Sequence, residues 1–396
     1  MLWREKTTDL EHQGTSIILT SIRPQTKDTL RSAAIWDAID SPLNNELDID
    51  AKVILPRYYI GRLDENSDYL TKSTLGQQNL PWTDSDLPLT AFRKMVDVVW
   101  SAITTDNPNP KLDLMFDSYL QMVWRLSLAL PIPYVYGHLF DEPISESWAK
   151  FYLLSNDPKG RAEELRLANE MSESSTVRNL IGLENGLQEN SLPFEVLLDD
   201  LALRRPIRYR ELPNTNHALK EPLVFLGKMR EDFFGYPRSF SAGPLSFEAY
   251  FYWAPKIAPV DHRGALIRIH DASGSLFDDS FFKYQVSEQT RLRQITCEIF
   301  VSEGLEPALN IDREAFNTAH PHMVVIIKWV HSALRQLATA QKRAAQIVRE
   351  SARSQSREQT IRQLESIVDR ANQEYTNGEG VVLDVFLLTG CLLSYR

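Results

Sequence analysis

Apolar and polar positions change period several times along the chain. Residues 15–22 (Thr, Ser, Ile, Ile, Leu, Thr, Ser, Ile) are β-branched and apolar, which predicts a strand. A short helix is expected from Thr29 to Ile39, and irregular structure with short elements from Asp40 to Pro88. From Leu89 to Thr104 the apolar residues Phe92, Met95, Val96, Val99 and Trp100 recur at helical spacing, and Asp106-Asn107-Pro108-Asn109-Pro110 then breaks the pattern. Leu112 to Leu130 predicts the strongest helix of the first half. Leu114, Phe116, Tyr119, Leu120, Val123, Trp124 and Leu128 give it a broad apolar face, stopped by Pro131 and Pro133. The polar stretch 155–191 reads as a mobile loop or an insertion.

Beyond it the texture favours strands at 194–198, 247–253, 265–270 and 294–301. Phe247, Ala249, Phe251 and Trp253 alternate with Glu248, Tyr250 and Tyr252, the period of a strand with one face buried and one wet. From His322 to Asn377 there is neither Gly nor Pro, and Met323, Ile326, Ile327, Val330, Leu334 and Leu337 follow helical spacing. The stretch Ser351–Gln359 is polar on every face before Ile361, Leu364, Ile367 and Val368 resume the pattern, so two helices or one long helix with a polar node are expected. Together these elements predict an α+β fold.

Composition narrows the class. With 43% hydrophobic and 24% charged residues over 396 positions, the chain is an ordinary globular sequence of two or three domains, neither disordered nor collagenous. A net charge of −10 argues against a broad cationic wrap for nucleic acid but leaves room for a local basic stripe. Two cysteines, Cys297 and Cys391, exclude a disulfide framework and a four-thiolate zinc site, and a reducing cytoplasm is expected. The first residues hold no apolar signal region. The apolar run from Val381 to Tyr395 is interrupted by Asp384 and falls short of the ~20 residues a spanning helix needs, so no membrane segment is expected. An apolar terminus and a strand-like start suggest a segment of a longer protein.

Self-contained active-site motifs are missing: there is no Gly-x-x-x-x-Gly-Lys loop, no Gly-x-Gly-x-x-Gly and no Gly-x-Ser-x-Gly elbow. His320-Pro321-His322 could offer two metal ligands, but a proline-bracketed pair at a helix start favours turn and capping chemistry, and no metal is expected. Asp261-His262 and His270-Asp271 read as core or solvent-facing pairs, and Asp278-Asp279 as a solvated loop. Arg349, Arg353 and Arg357 fall on one helical face and could hold phosphates, against the plainer reading of a solvated face beside Glu350 and Glu358.

The segment Gln294–Asn317 carries more. A strand runs into Ser302-Glu303-Gly304, then Asn310-Ile311-Asp312-Arg313, then a helix. It resembles the end of the main middle-domain module of the ninety-kilodalton heat-shock (HtpG-like) chaperones, which read Leu-Asn-(Ile/Leu/Val)-Ser-Arg-Glu there. His12-Gln13-Gly14-Thr15-Ser16-Ile17-Ile18-Leu19 is similar to the Gly-Thr-x-(Ile/Val)-x-Leu strand closing the ATPase domain of the gyrase, heat-shock chaperone, histidine kinase and MutL superfamily. Phe247–Pro255 and Gly264–His270 resemble that middle domain's strand pair. The resemblance implies that Arg313 reaches the γ-phosphate of ATP held by an N-terminal ATPase domain missing from this sequence, with Asn317 as its polar helper. Asp312 stands where the family has Ser, and Asn317 where it has Gln. ATP and Mg would be bound only with that domain present, and this segment alone would be inactive.

The organisation then expected is residues 1–24 as the last ATPase-domain strand and linker, 25–191 as a mainly helical insertion, 192–321 as an α/β middle (transducer) domain, and 322–396 as a C-terminal helical region that makes a homodimer or client surface. The role would be that of a chaperone or an anti-phage defence ATPase. The alternatives are a MutL-like nucleic-acid-processing arm using Arg349, Arg353 and Arg357, and a non-enzymatic interaction scaffold.

Overall fold

The computed structural model describes residues 23–40, 55–61, 78–105, 109–144, 148–165, 176–184, 195–199, 201–211, 215–285, 289–311 and 315–375. The expected strand at 15–22 and the apolar run from Val381 to Tyr395 lie outside them. The elements are α1 (Pro24–Leu30), α2 (Ala33–Asp40), α3 (Pro88–Thr105), α4 (Leu112–Met115), α5 (Ser118–Ala129), β1 (Lys150–Leu153), β2 (Glu163–Glu164), α6 (Val177–Ile181), β3 (Leu197–Leu198), β4 (Leu201–Ala202), β5 (Leu223–Glu231), α7 (Arg238–Ser241), β6 (Leu245–Trp253), β7 (Gly264–Ile269), α8 (Gln289–Leu292), β8 (Ile295–Glu303) and α9 (Pro321–Tyr375). The fold is α+β, as the pattern predicts.

Two expected helices are each divided for local reasons; that over Thr29–Ile39 is parted into α1 and α2 at Ser32, which has φ +54. The single helix expected over 112–130 is divided into α4 and α5, because Phe116 and Asp117 take extended backbone and Asp117 caps α5. Its Oδ1 accepts the Leu120 N–H at 2.9 Å, and its Oδ2 accepts that of Ile60 at 2.9 Å. The polar stretch 351–359, by contrast, leaves α9 unbroken, since it contains neither Gly nor Pro to stop the backbone ladder.

A six-stranded mixed sheet runs in the order β2-β1-β5-β6-β8-β7, with β5, β6 and β8 antiparallel and β1–β5 and β7–β8 parallel. The register puts Phe225, Gly227, Phe247, Phe251 and Cys297 on one face. There α9 packs, with the Trp329 ring 5.1 Å from that of Phe247 and 6.0 Å from that of Phe251. Gly227 makes the approach fit: a Cβ at that position would lie 2.7 Å from Trp329 Cζ2. The other face carries Val224, Leu226, Tyr250, Tyr252 and Phe300, which share one core with α3, α4 and α5 through Phe92, Met95, Phe116, Leu120, Val123 and Trp124. The sheet is therefore a middle layer with helices on both sides.

This sandwich corrects two expectations. The alternating face of β6 is not solvated, because the helices of residues 88–129 cover it: Tyr250 is 0%, Tyr252 3% and Glu248 7% exposed. Nor does a boundary at 191/192 appear. Strand β1, from the expected insertion, pairs Lys150 with Leu223 and Phe151 with Val224 of β5 in the expected middle domain. The chain instead divides into one unit of Met1–Asn216 with Lys220–Leu337 and another of His217–Leu219 with Ala338–Arg396, so the boundary expected at 321/322 falls inside α9. In the second unit, α9 is exposed around its whole circumference from Glu350 to Thr360, and Ile347 and Ile367 are more than half exposed.

Candidate functional site

The segment carrying the sequence resemblance emerges at one end of the sheet, where β5 turns into β6 and β8 leads to α9. Glu231 pairs with Leu245, and Ser246 pairs with Glu303, so these two connections lie side by side. His322 at the start of α9 pins them together. Its Nδ1 accepts the Leu305 N–H at 2.9 Å, which leaves Nε2 to donate to the Gly243 carbonyl at 2.9 Å. The ring is fully buried and lies 5.1 Å from the Phe233 ring. Gly304 has φ +85 and comes so close to the β5–β6 connection that a Cβ would meet the Pro244 carbonyl at 2.5 Å, which explains a glycine there. His320 Nδ1 accepts the His322 N–H at 3.3 Å, a contact of the capping kind at the start of α9, whereas the His322 ring is a clasp between distant connections.

Above this clasp the surface is apolar. Phe234 is 90% exposed and Tyr236 and Phe240 are each 59% exposed, the last two stacked at 6.0 Å with their planes 17° apart. Ile311, in the neighbouring connection, has its side chain wholly in solvent. The rim is charged: Arg230 bridges Glu303 at 2.8 Å and Asp232 at 3.0 Å. This aromatic tip was not among the residues expected to matter. Its signal was legible in Asp232-Phe233-Phe234-Gly235-Tyr236-Pro237, an aromatic-rich turn between two strands.

The two expected site residues fare differently. Arg313 lies outside the described residues, as do Asp312 and Glu314. Their flanks are tied: Leu309 bridges Phe316, the Asn310 N–H donates to the Ala315 carbonyl at 2.9 Å, and the Asn317 N–H donates to that of Ala308 at 2.7 Å. Asn317 is exposed, and its Oδ1 accepts the Ala319 N–H at 3.0 Å, a local turn contact. Arg349, Arg353 and Arg357 are exposed on α9 in the other unit.

A second concentration of ionisable groups is internal. Arg268 on β7 and Glu298 on β8 are both fully buried, joined through Nε and Oε1 at 2.6 Å, while Arg268 Nη1 donates to the Leu128 carbonyl at 2.6 Å. Glu298 Oε2 accepts from the hydroxyls of Tyr134, at 2.7 Å, and Tyr250. Burial alone would raise the Glu298 carboxyl. Arg268, Arg205 and the two hydroxyls more than offset it and hold the group below the usual carboxylate range. His138 sits among Tyr134, Phe140, Tyr250 and Phe300, and burial, with the charges of Arg178, Arg205 and Arg268, keeps it neutral. His262 is also buried, accepting from Trp124 Nε1 at 2.9 Å. Sealed from water, the bonded Arg268, Glu298, Tyr134 and Tyr250 tie the sheet to the helical layer, with the two histidines packed in the same core.

A small cleft between Trp100, Arg208, Tyr252, Lys256 and Thr296 has a cavity volume of about 10 Å³, room for no more than about one water molecule. Its cations are engaged: Lys256 donates to the Ile103 carbonyl at 3.0 Å, and Arg208 pairs with Asp97 at 2.7 Å. It does not fit a nucleotide. Among the described residues no group of three or more His, Cys, Asp or Glu side chains is gathered as a metal site, and no helix is long and apolar enough to cross a membrane. Comparisons of the chain with protein families, with curated proteins and with solved structures found no match.

Proposed function

We propose that the chain is the middle, transducing segment of an HtpG-like ATPase, working with an ATP-binding domain outside this sequence. In this reading ATP and Mg are held by that other domain, and Arg313 is this chain's contribution. A guanidinium presented by one domain to a phosphoryl group held in another neutralises charge that builds during transfer, and couples turnover to domain closure. The observation that carries the reading is the neighbourhood of the Arg313 segment. Its flanks, Leu309 and Phe316, are bridged, and the β5–β6 connection that leaves the same end of the sheet exposes Phe234, Tyr236 and Phe240, an apolar surface of the kind an adjoining domain covers. Chaperone and phage-defence roles share this engine, and a homodimer through the C-terminal helical region belongs to the same proposal.

The test is ATP turnover by the protein together with its ATPase domain. Arg313→Ala is expected to lower hydrolysis while leaving nucleotide binding intact, and unchanged hydrolysis overturns the assignment. One observation favours a second reading, a nucleic-acid-processing arm: Arg349, Arg353 and Arg357 are all exposed along one helix. Duplex binding that falls steeply with salt, and is lost on substituting all three by Glu, supports that reading; absence of binding at low salt removes it.

A further inference from the structure

Residues 340–370 of α9 lie within the second unit and carry a seam that nothing in that unit uses up. The side-chain hydrogen bonds from Gln346 to Ser366 all stay inside the helix. Ile347 is 55% exposed, and Ile361, Leu364 and Val368 are part-exposed. Ala340, Ile347, Ser354, Ile361 and Val368 stand seven residues apart, with Leu364 at an intermediate step. That is the spacing by which one helix seats against another.

The charges are sorted along the same helix. From 338 to 357, Lys342, Arg343, Arg349, Arg353 and Arg357 stand against Glu350 alone. From 358 to 375, Glu358, Glu365, Asp369 and Glu374 outnumber Arg362 and Arg370. Arg349, Arg353 and Arg357 follow one another at four-residue steps and repel within a single helix, as do Glu365 and Asp369. Among the described residues none of these five is held in an ion pair.

A second copy of the helix answers both features. Turned end for end about Ser354, Ile347 of one copy comes level with Ile361 of the other, and Ala340 with Val368, so the seam reads alike from either end. The same turn sets the basic half of each helix against the acidic half of its partner. Parallel pairing would bring basic half to basic half, and a nucleic-acid backbone matches the basic half only. We propose that residues 340–370 of α9 pair antiparallel with the same stretch of a second copy. This deepens the homodimer proposed above and rests on that part of the reading.

Sedimentation velocity of the full chain, without nucleotide, is the test, and a dimer is expected. Ile361→Lys should raise its dissociation constant at least about tenfold, and Ser354→Leu, which completes the apolar step, should lower it by about as much. Neither side chain is buried, so the fold of the first unit is unaffected. Arg349→Glu, Arg353→Glu and Arg357→Glu together should weaken pairing, and mixing that chain with one carrying Glu358→Lys, Glu365→Lys and Asp369→Lys should restore it. In a Cys391→Ser background, with Cys297 buried, Ile347→Cys and Ile361→Cys copies mixed and oxidised should give a 347–361 disulfide. A wild-type monomer, an unaltered dimer in Ile361→Lys, a 347–347 disulfide in place of the mixed one, or a monomer that takes up duplex DNA overturns the proposal. Hydrolysis is not read, so none of these outcomes touches the assignment of Arg313.

Discussion

Arg268 Nη2 lies 2.5 Å from Glu298 Oε1, with both side chains fully out of water on neighbouring parallel strands. Such a pair gains little over an apolar one, because desolvation consumes most of its attraction, yet breaking it strands a buried charge. Glu298→Gln or Arg268→Met alone is expected to cost about 3–5 kcal/mol in urea denaturation. The double variant should recover part of that loss. Recovery stays incomplete because the Leu128 carbonyl loses its donor and the Tyr134 and Tyr250 hydroxyls are left with a neutral amide oxygen in place of a carboxylate. Additive losses would show that the two groups do not act as a pair.

Gly227 is a packing prediction. Its Cβ would meet Trp329 Cζ2 at 2.7 Å and Leu154 Cβ at 3.2 Å, so Gly227→Ala is expected to destabilise the protein by about 1–3 kcal/mol. Combining it with Trp329→Leu should show a compensating interaction in a double-mutant cycle, since the smaller side chain vacates the space.

Two buried groups give the acid limb of stability opposite slopes. Burial pushes the Asp117 carboxyl up to about 6 despite the N–H bonds that favour its charge. The folded protein therefore binds that proton more tightly than the unfolded chain, and this group adds stability as pH falls from about 6 towards 3.8. Burial lowers His262 to about 3, so its contribution is complete above pH 6.5 and is lost progressively down to about pH 3. His262→Gln is expected to be less stable at pH 7 but to lose less stability between pH 6.5 and 3. Denaturant midpoints measured across that range check it, and an unchanged slope refutes it.

The aromatic tip separates surface from support. Serine in place of Phe234, Tyr236 or Phe240 is expected to move stability by no more than about 0.5 kcal/mol, because these rings contact water. Phe233→Ala should cost about 3–5 kcal/mol, since that ring is 8% exposed and packs on His322. Thermal or urea unfolding of the four variants distinguishes the groups, and a large loss at Phe234 would mean that the tip serves the fold.

Helix α3, the strands β6, β7 and β8, and the helical character of α9 were legible because period and breaker residues act locally. Strand β5 was not among the expected strands, although Leu223-Val224-Phe225-Leu226 is an apolar run of the kind a central strand shows. Such a run has no alternation to betray it. The short β1 and β2 carry less signal still, and β1 gains its place only by pairing with β5. Of the candidate site, the motif containing Arg313 could be read along the chain, whereas the pinning of the β5–β6 and β8–α9 connections by His322 could not.

By itself the sequence determined the α+β class, the principal helices and most of the long strands. These depend on side-chain period and on backbone chemistry within a few residues. Only the tertiary structure decided that the polar face of β6 is covered, that Arg268 finds Glu298, and that His322 joins Leu305 to Gly243. Each depends on partners from distant stretches of chain, and burial turns the same side chain from a solvated group into one that must be paired.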